Sequence, residues 1–215
     1  NSISSIDGRF RGRTENASKY FSEFATYRGR VLVEIEYLIA FLEEIGEKLE
    51  TKTIKSFRKI VEDFSESDAE LIWKKDEEIN HDTKAIEYFL ISKLGEQKLE
   101  KYKNFIHIGL TSTDIDNIGF ALSLQGFLKD IYFEEIEGLL EVLKKIAKEN
   151  NDLVMPARSH GQIAVPTTAG KELSYFYSRL NTQLEKLKSI KIGSKLTGAV
   201  GNHNALTFAY PDVDW

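Results

Sequence analysis

TDIDNIGFALSLQGFLKDIYFEEIEGLLEVLKKIAKEN, residues Thr113–Asn150, contains no proline and carries a helical stripe of large side chains at Ile115, Ile118, Leu122, Leu128, Tyr132, Ile136, Leu139, Leu143 and Ile146. A helix of that span, at about 1.5 Å per residue, runs roughly 55 Å and needs long neighbours along its whole side. Downstream, Leu173, Phe176, Leu180, Leu184, Leu187 and Ile190 repeat at three or four residues and supply a second long helix. The stretch Leu153–Pro166 between them reads as irregular. Two long helices in sequence are the beginning of a bundle.

Upstream, the helical pattern continues. From Phe21, apolar side chains recur at Phe24, Tyr27, Val31, Ile35, Leu38, Leu42 and Ile45 and stop at Gly46. A shorter run, Ile54, Phe57, Val61 and Phe64, follows. Ser65 and Asp68 form an S-x-x-D start signal before Leu71 and Ile72, and another periodic segment runs from about Asp82 to Leu94. The prolines are Pro156, Pro166 and Pro211, so the strongest helix breaker is missing from everything before residue 156. Strand-like alternation is nearly absent. The expectation is an all-α chain: a helical N-terminal domain over 1–108, then an incomplete central long-helix bundle over 109–215. The ending after Gly198, Gly201 and Tyr210-Pro211-Asp212 reads as truncation.

Composition narrows the function classes. Lys plus Arg total 29 against 34 for Asp plus Glu, a net charge of -5, so no large electrostatic reward exists for nucleic acid or an anionic membrane. An anionic ligand must be held locally. With no cysteine there is no disulfide, thiolate metal site or cysteine nucleophile, which fits a cytoplasmic protein. No apolar run approaches a membrane span, and Asn1–Phe10 lacks the apolar segment of a signal peptide. No motif calls for a cofactor, and the histidines lack close metal-ligand spacing.

Three segments carry candidate chemistry. His81, in Asn80-His81-Asp82, and His160, in Arg158-Ser159-His160-Gly161-Gln162, stand in non-periodic polar surroundings, where a core histidine is not expected; each reads as a functional group or as an exposed loop or capping histidine. In the first, Asp82 is a plausible helix cap. Thr111-Ser112-Thr113-Asp114 opens the longest helix. Ser112 or Thr113 can cap it, and the same hydroxyls, open N–H groups and helix dipole can also cradle a carboxylate. Asp7-Gly8-Arg9-Phe10 reads as a turn, with Arg9, Arg11 and Arg13 forming either a solvated basic cluster or a bidentate phosphate site. His107 lies among Phe105, Ile106 and Ile108 and reads as structural; His203 has no assignment.

Taken in order, these blocks resemble a known family. Ser5–Phe10, Asn80–Leu90, Phe105–Asn117, Arg158–Thr167 and Gly198–Asn202 together cover essentially the whole chain. The Thr111-Ser112-Thr113-Asp114 and His160-Gly161-Gln162 elements are similar to those of the fumarase, aspartase and argininosuccinate lyase superfamily. The Asp7-Gly8-Arg9 start and the Asn80-His81-Asp82…Glu87-Tyr88-Phe89 block resemble its adenylosuccinate branch. That resemblance implies a helical first domain, a central domain of very long helices associating as a homotetramer with shared active sites, and no cofactor. It implies β-elimination, cleaving adenylosuccinate to AMP and fumarate and the related SAICAR to AICAR and fumarate. Under it His160 is the general acid and His81 orients substrate and assists proton transfer. Asn80 and Asp82 shape that pocket, Arg9 and Phe10 stand at the phosphate turn, Thr111 and Ser112 hold the carboxylate, and Gln162 meets the succinyl end.

The chain departs from the family pattern in three ways. Phe10 stands where the family has tyrosine, and Ser159 where it has threonine. The flexible serine loop that supplies the base in the family is not in this sequence, so the chain alone is expected to be inactive. The rival readings are another fumarate-releasing superfamily member, such as an argininosuccinate lyase, and a catalytically silent structural relative.

Overall fold

Helix α2, Glu23–Glu44, is the spine of the first half. Ser22 starts it: its backbone is extended and its side chain accepts the Ala25 N–H at 3.1 Å. Val31, Ile35, Leu38 and Leu42 lie along one face and are wholly shielded from water. The computed structural model, which describes residues 2–215, packs four further elements beside this stripe: α3 (Thr51–Glu62), α4 (Glu66–Ile79), α5 (Asp82–Glu96) and a 3-10 helix at Glu100–Phe105. They contribute Phe57, Ile72, Ile86, Leu90, Leu94 and Tyr102 to the same core. The Ser65 signal is realised as a full capping box with Asp68, whose carboxylate also pairs with Lys93 at 3.0 Å. Trp215 stacks on Phe41 of α2, with ring centroids 5.7 Å apart and planes 8° from parallel.

The chain falls into two compact units. The first holds the residues up to Gln125 and Gly193–Trp215, and the second is Gly126–Ile192. The mostly helical architecture expected from the periodicity is what forms, with local differences. Ser22 breaks the helical region early, leaving a separate helix α1, Arg11–Phe21, so Arg11 and Arg13 are helical and only Arg9 is in the turn. The long stripe from Thr113 is divided into α6 (Ser112–Phe127), a π-helical turn (Leu128–Tyr132) and α7 (Phe133–Glu149).

The segment read as irregular is a β-hairpin. β1, Val154–Ser159, pairs antiparallel with β2, Gln162–Thr168, with a bulge between Pro156 and Arg158. Pro156 and Pro166 face each other across it; a two-stranded ribbon has outer edges on both sides, so neither proline need remove a ladder bond. Thr168 then caps α8, Ala169–Ser189, which packs against α7. A Cβ on Gly170 would lie 2.3 Å from the Ala147 carbonyl oxygen, so the two backbones meet where only glycine fits. In the first unit, α9 (Asn204–Ala209) buries Leu206 in the core.

Candidate active site

The Asn80-His81-Asp82 block is the connection between α4 and α5. Asn80 ends α4 in the left-handed conformation, φ +56° and ψ +43°, its N–H donating to the Asp76 carbonyl at 2.6 Å. His81, rather than Asp82, is the cap of α5: its Nδ1 accepts the Lys84 N–H at 3.1 Å. An accepting Nδ1 leaves the ring proton on Nε2 of the exposed imidazole, available for donation. Asp82 is the first helical residue. Burial works against its charge, but the hydrogen bond and charge of Arg30 hold its carboxyl below the ordinary aspartate range.

Asp114 organises the Thr111-Ser112 block. Its side chain is wholly buried and accepts four donors: the N–H groups of Thr111 at 3.0 Å, Thr197 at 3.2 Å and Gly198 at 3.1 Å, and the Lys195 ammonium at 2.5 Å. Burial alone would raise its pKa; these donors lower it. Asn117 adds a two-way grip, donating to the Lys195 carbonyl at 3.0 Å and accepting the Lys195 N–H at 2.7 Å. The loop 195–198 is therefore tied to the first turn of α6. Ser112 and Thr113 already lie inside α6, so Thr111 is the residue that precedes it, and Asp114 in the first turn reaches back to accept the Thr111 N–H. The Thr111 and Ser112 hydroxyls are left half-buried beside a positive helix end.

The Arg9-Phe10 turn is held by its own neighbours. Asp7 accepts the Ile3 and Ser4 N–H groups, and the Phe10 N–H donates to the Ser5 carbonyl at 2.8 Å. The Phe10 ring carries two guanidinium groups on its surface, Arg9 at 5.3 Å and Arg13 at 5.7 Å from its centroid. Phenylalanine here gathers positive charge without needing a hydroxyl. A cavity of about 860 Å³ in the same unit is lined by Arg11, Lys19, Arg28, Glu15 and Glu66 over Phe24, Phe64 and Leu122; Arg9 and Phe10 do not line it.

His160 and Gln162 belong to the second unit. His160 and Gly161 are the two loop residues of the hairpin, with φ of +50° and +79°, and Ser159 pairs with Gln162 across its neck. Positive φ at both central residues is what a type I′ two-residue turn demands. His160 is exposed at this loop tip, and it shares its positive φ with Asn80, Lys98, His107 and His203. The candidate residues are thus gathered by separate devices: a helix cap, a buried carboxylate hub, an aromatic turn and a hairpin tip. Among the described residues no group of acidic and histidine side chains is arranged to hold a metal ion, and no helix is long and apolar enough to cross a membrane.

The sequence pattern of the family described as Lyase matches residues 8–214. The chain belongs to the lyase family. Among its relatives, the adenylosuccinate lyase of Legionella pneumophila is 40% identical over 220 residues, covering 100% of this chain and 48% of that protein. Adenylosuccinate lyases of Dictyostelium discoideum and Vibrio cholerae are 40% and 36% identical, each over 99% of this chain and 48% of theirs. This lyase-family chain therefore spans about half the length of the curated relatives it matches. Its fold is similar to that of a fumarate lyase from Mesorhizobium, at TM-score 0.75 and 20% identity over 89% of this chain and 44% of that one. It is similar also to a β-carboxy-cis,cis-muconate cycloisomerase from Acinetobacter calcoaceticus, at TM-score 0.74 and 20% identity over the same shares.

Reading the lyase-family sequence missed the residues that hold these segments: Arg30, Glu34, Asn117, Asp116 and Lys195. Arg30 ion-pairs with Asp82 at 2.5 Å and Asp116 at 2.8 Å, and Glu34 meets His107 Nδ1 at 2.5 Å.

Proposed function

We propose that this chain forms part of a cytoplasmic, homotetrameric lyase that cleaves adenylosuccinate to AMP and fumarate, and SAICAR to AICAR and fumarate, in purine nucleotide biosynthesis. The observation that carries the reading is 36–40% identity to adenylosuccinate lyases along the whole chain. The 1–108 and 109–215 segments are proposed as domains of the complete protein. The exposed apolar side chains of α7 and α8, Leu139, Val142, Tyr175 and Phe176 among them, support assembly with further copies.

In the elimination, a base takes the proton from the carbon beside a succinyl carboxylate, that electron pair forms the C=C bond, and the C–N pair leaves on nitrogen. The base is assigned to no residue of this chain. Charge accumulating on the carboxylate meets the Thr111 and Ser112 hydroxyls and the positive end of α6. His160 supplies the proton to the departing nitrogen. His81, with Nδ1 committed to its cap, presents Nε2–H to substrate, and Asn80 and Asp82 shape that side of the pocket. Gln162 addresses the succinyl end, while Arg9, backed by Phe10, binds the phosphate. No cofactor takes part.

The test is the full-length protein mixed with adenylosuccinate and, separately, with argininosuccinate, with fumarate followed directly. Fumarate from the first supports the proposal. Fumarate from the second alone overturns the substrate assignment, and no fumarate from either returns the chain to a structural role.

A further inference from the structure

Helix α2 carries a second stripe, one residue out of phase with its apolar one: Arg30, Glu34 and Tyr37, at i, i+4 and i+7. Each side chain reaches a different segment of the first unit. The Arg30 guanidinium lies between Asp82 at the start of α5 and Asp116 in the first turns of α6. The Glu34 carboxylate meets His107, and the Tyr37 hydroxyl donates to the Ile108 carbonyl at 2.7 Å. Those segments carry His81 and lead into Thr111 and Ser112. α2 and α6 approach each other at Gly29 and Gly119, where a Cβ on Gly29 would sit in ordinary contact, 3.7 Å from the Gly119 Cα.

Stability is a poor account of this stripe. Placing a guanidinium and a carboxylate in a helix junction costs desolvation that well-packed apolar side chains would avoid. The arrangement is also incompletely satisfied, since Arg30 Nε and Asp116 Oδ1 are buried and touch as charges without a hydrogen bond, and Glu34 Oε2 has no hydrogen-bond partner. Polar, directional contacts at this junction fix angles and register, which apolar packing fixes less sharply.

We infer that Arg30 is a positioning residue of the proposed elimination, holding the His81 cap and the Thr111–Asp116 turn in one register without itself touching substrate. The inference rests on the proposed function and deepens it. Asp82 and Asp116 share the one guanidinium unequally. Arg30 keeps Asp82 below its ordinary range, whereas burial, reinforced by the charge of Asp82, lifts Asp116 above it despite Arg30. The bridge is thus tightest on the His81 side.

The experiment compares Arg30→Lys, Arg30→Met and Asp116→Asn with the unmodified full-length protein, measuring kcat and KM for adenylosuccinate and the thermal midpoint of each. Arg58→Met, which opens the exposed Arg58–Glu36 pair on another face of α2, is the control and should leave kcat unchanged. Arg30→Met should lower kcat on the order of 10²-fold, the cost of displacing a reacting group by about 1 Å, with a much smaller change in KM. Arg30→Lys, which can pair one carboxylate, should recover part of the loss, and Asp116→Asn should fall between. If Arg30→Met does not fold, the other two variants carry the test. Unchanged kcat in folded variants, or losses that simply follow the thermal midpoint, overturns the positioning role. An unmodified protein that releases no fumarate instead overturns the proposed function, and the inference with it.

Discussion

The residues up to Gln125, together with Gly193–Trp215, close around Ile35, Leu38, Leu42, Phe57 and Leu90, all shielded from water. Gly126–Ile192 bury only Leu140, Ala147, Gly170 and Leu184, and leave Tyr175 and Phe176 more than half exposed. The polar groups differ in the same way. In the first unit Asp114, Asp68 and Glu34 are buried and bound; in the second the ion pairs, such as Lys188–Glu137, are on the surface. One unit holds its candidate residues by cross-links through a core, and the other by the backbone geometry of a hairpin. Replacing the buried hub Asp114 of the first unit should therefore show mainly in stability, and replacing the hairpin tip mainly in chemistry.

The sharpest break of that comparison is at His160. His160→Ala in the full-length protein is expected to lower kcat by about 10²–10⁴, the usual worth of a general acid, while thermal unfolding hardly moves because the side chain is exposed. A large loss of stability with retained activity would reverse the assignment. Asp114→Ala should do the opposite to the fold: it leaves the Lys195 ammonium and three N–H groups without their acceptor, costing about 3–5 kcal/mol by denaturant titration. Gly170→Ala tests the one tight backbone approach of the second unit, with an expected loss of about 1–3 kcal/mol.

The smallest effect is a pH dependence. Burial lowers the proton affinity of His107, but the hydrogen bond and charge of Glu34 outweigh it, so its pKa lies above the ordinary 6.5. The folded chain keeps that proton after the unfolded chain has lost it. The stabilisation is complete below 6.5 and declines as pH rises through the folded value. Glu34→Gln should flatten that decline in unfolding titrations across neutral pH; an equally steep decline in the variant would show that another group produces it.

The helical frame was legible because apolar periodicity survives wherever one helix face meets a core, as at Val31, Ile35, Leu38 and Leu42. The start at Ser65 was legible for a similar reason: capping boxes are local. The hairpin was hidden because exposed strands need no apolar alternation, and the two prolines pointed away from a sheet. Candidate groups lying in compact polar blocks were readable; the side chains that hold them were not, because Arg30, Glu34 and Lys195 reach partners at least 52 positions away in contacts that leave no local pattern. The Thr111–Asp114 block was visible as a helix start, with capping expected from Ser112 or Thr113, while Asp114 as a buried hub was invisible.

The stacking of Trp215 on Phe41 has a practical meaning. Both tryptophans, Trp73 and Trp215, lie in the first unit, Trp73 half in water and Trp215 against an aromatic cluster with Tyr210. Intrinsic indole fluorescence therefore watches the first unit alone, while helical circular dichroism watches both. Recording the two signals through one unfolding titration separates the melting of the cross-linked core from that of the helix pair and hairpin, with no label and no substitution.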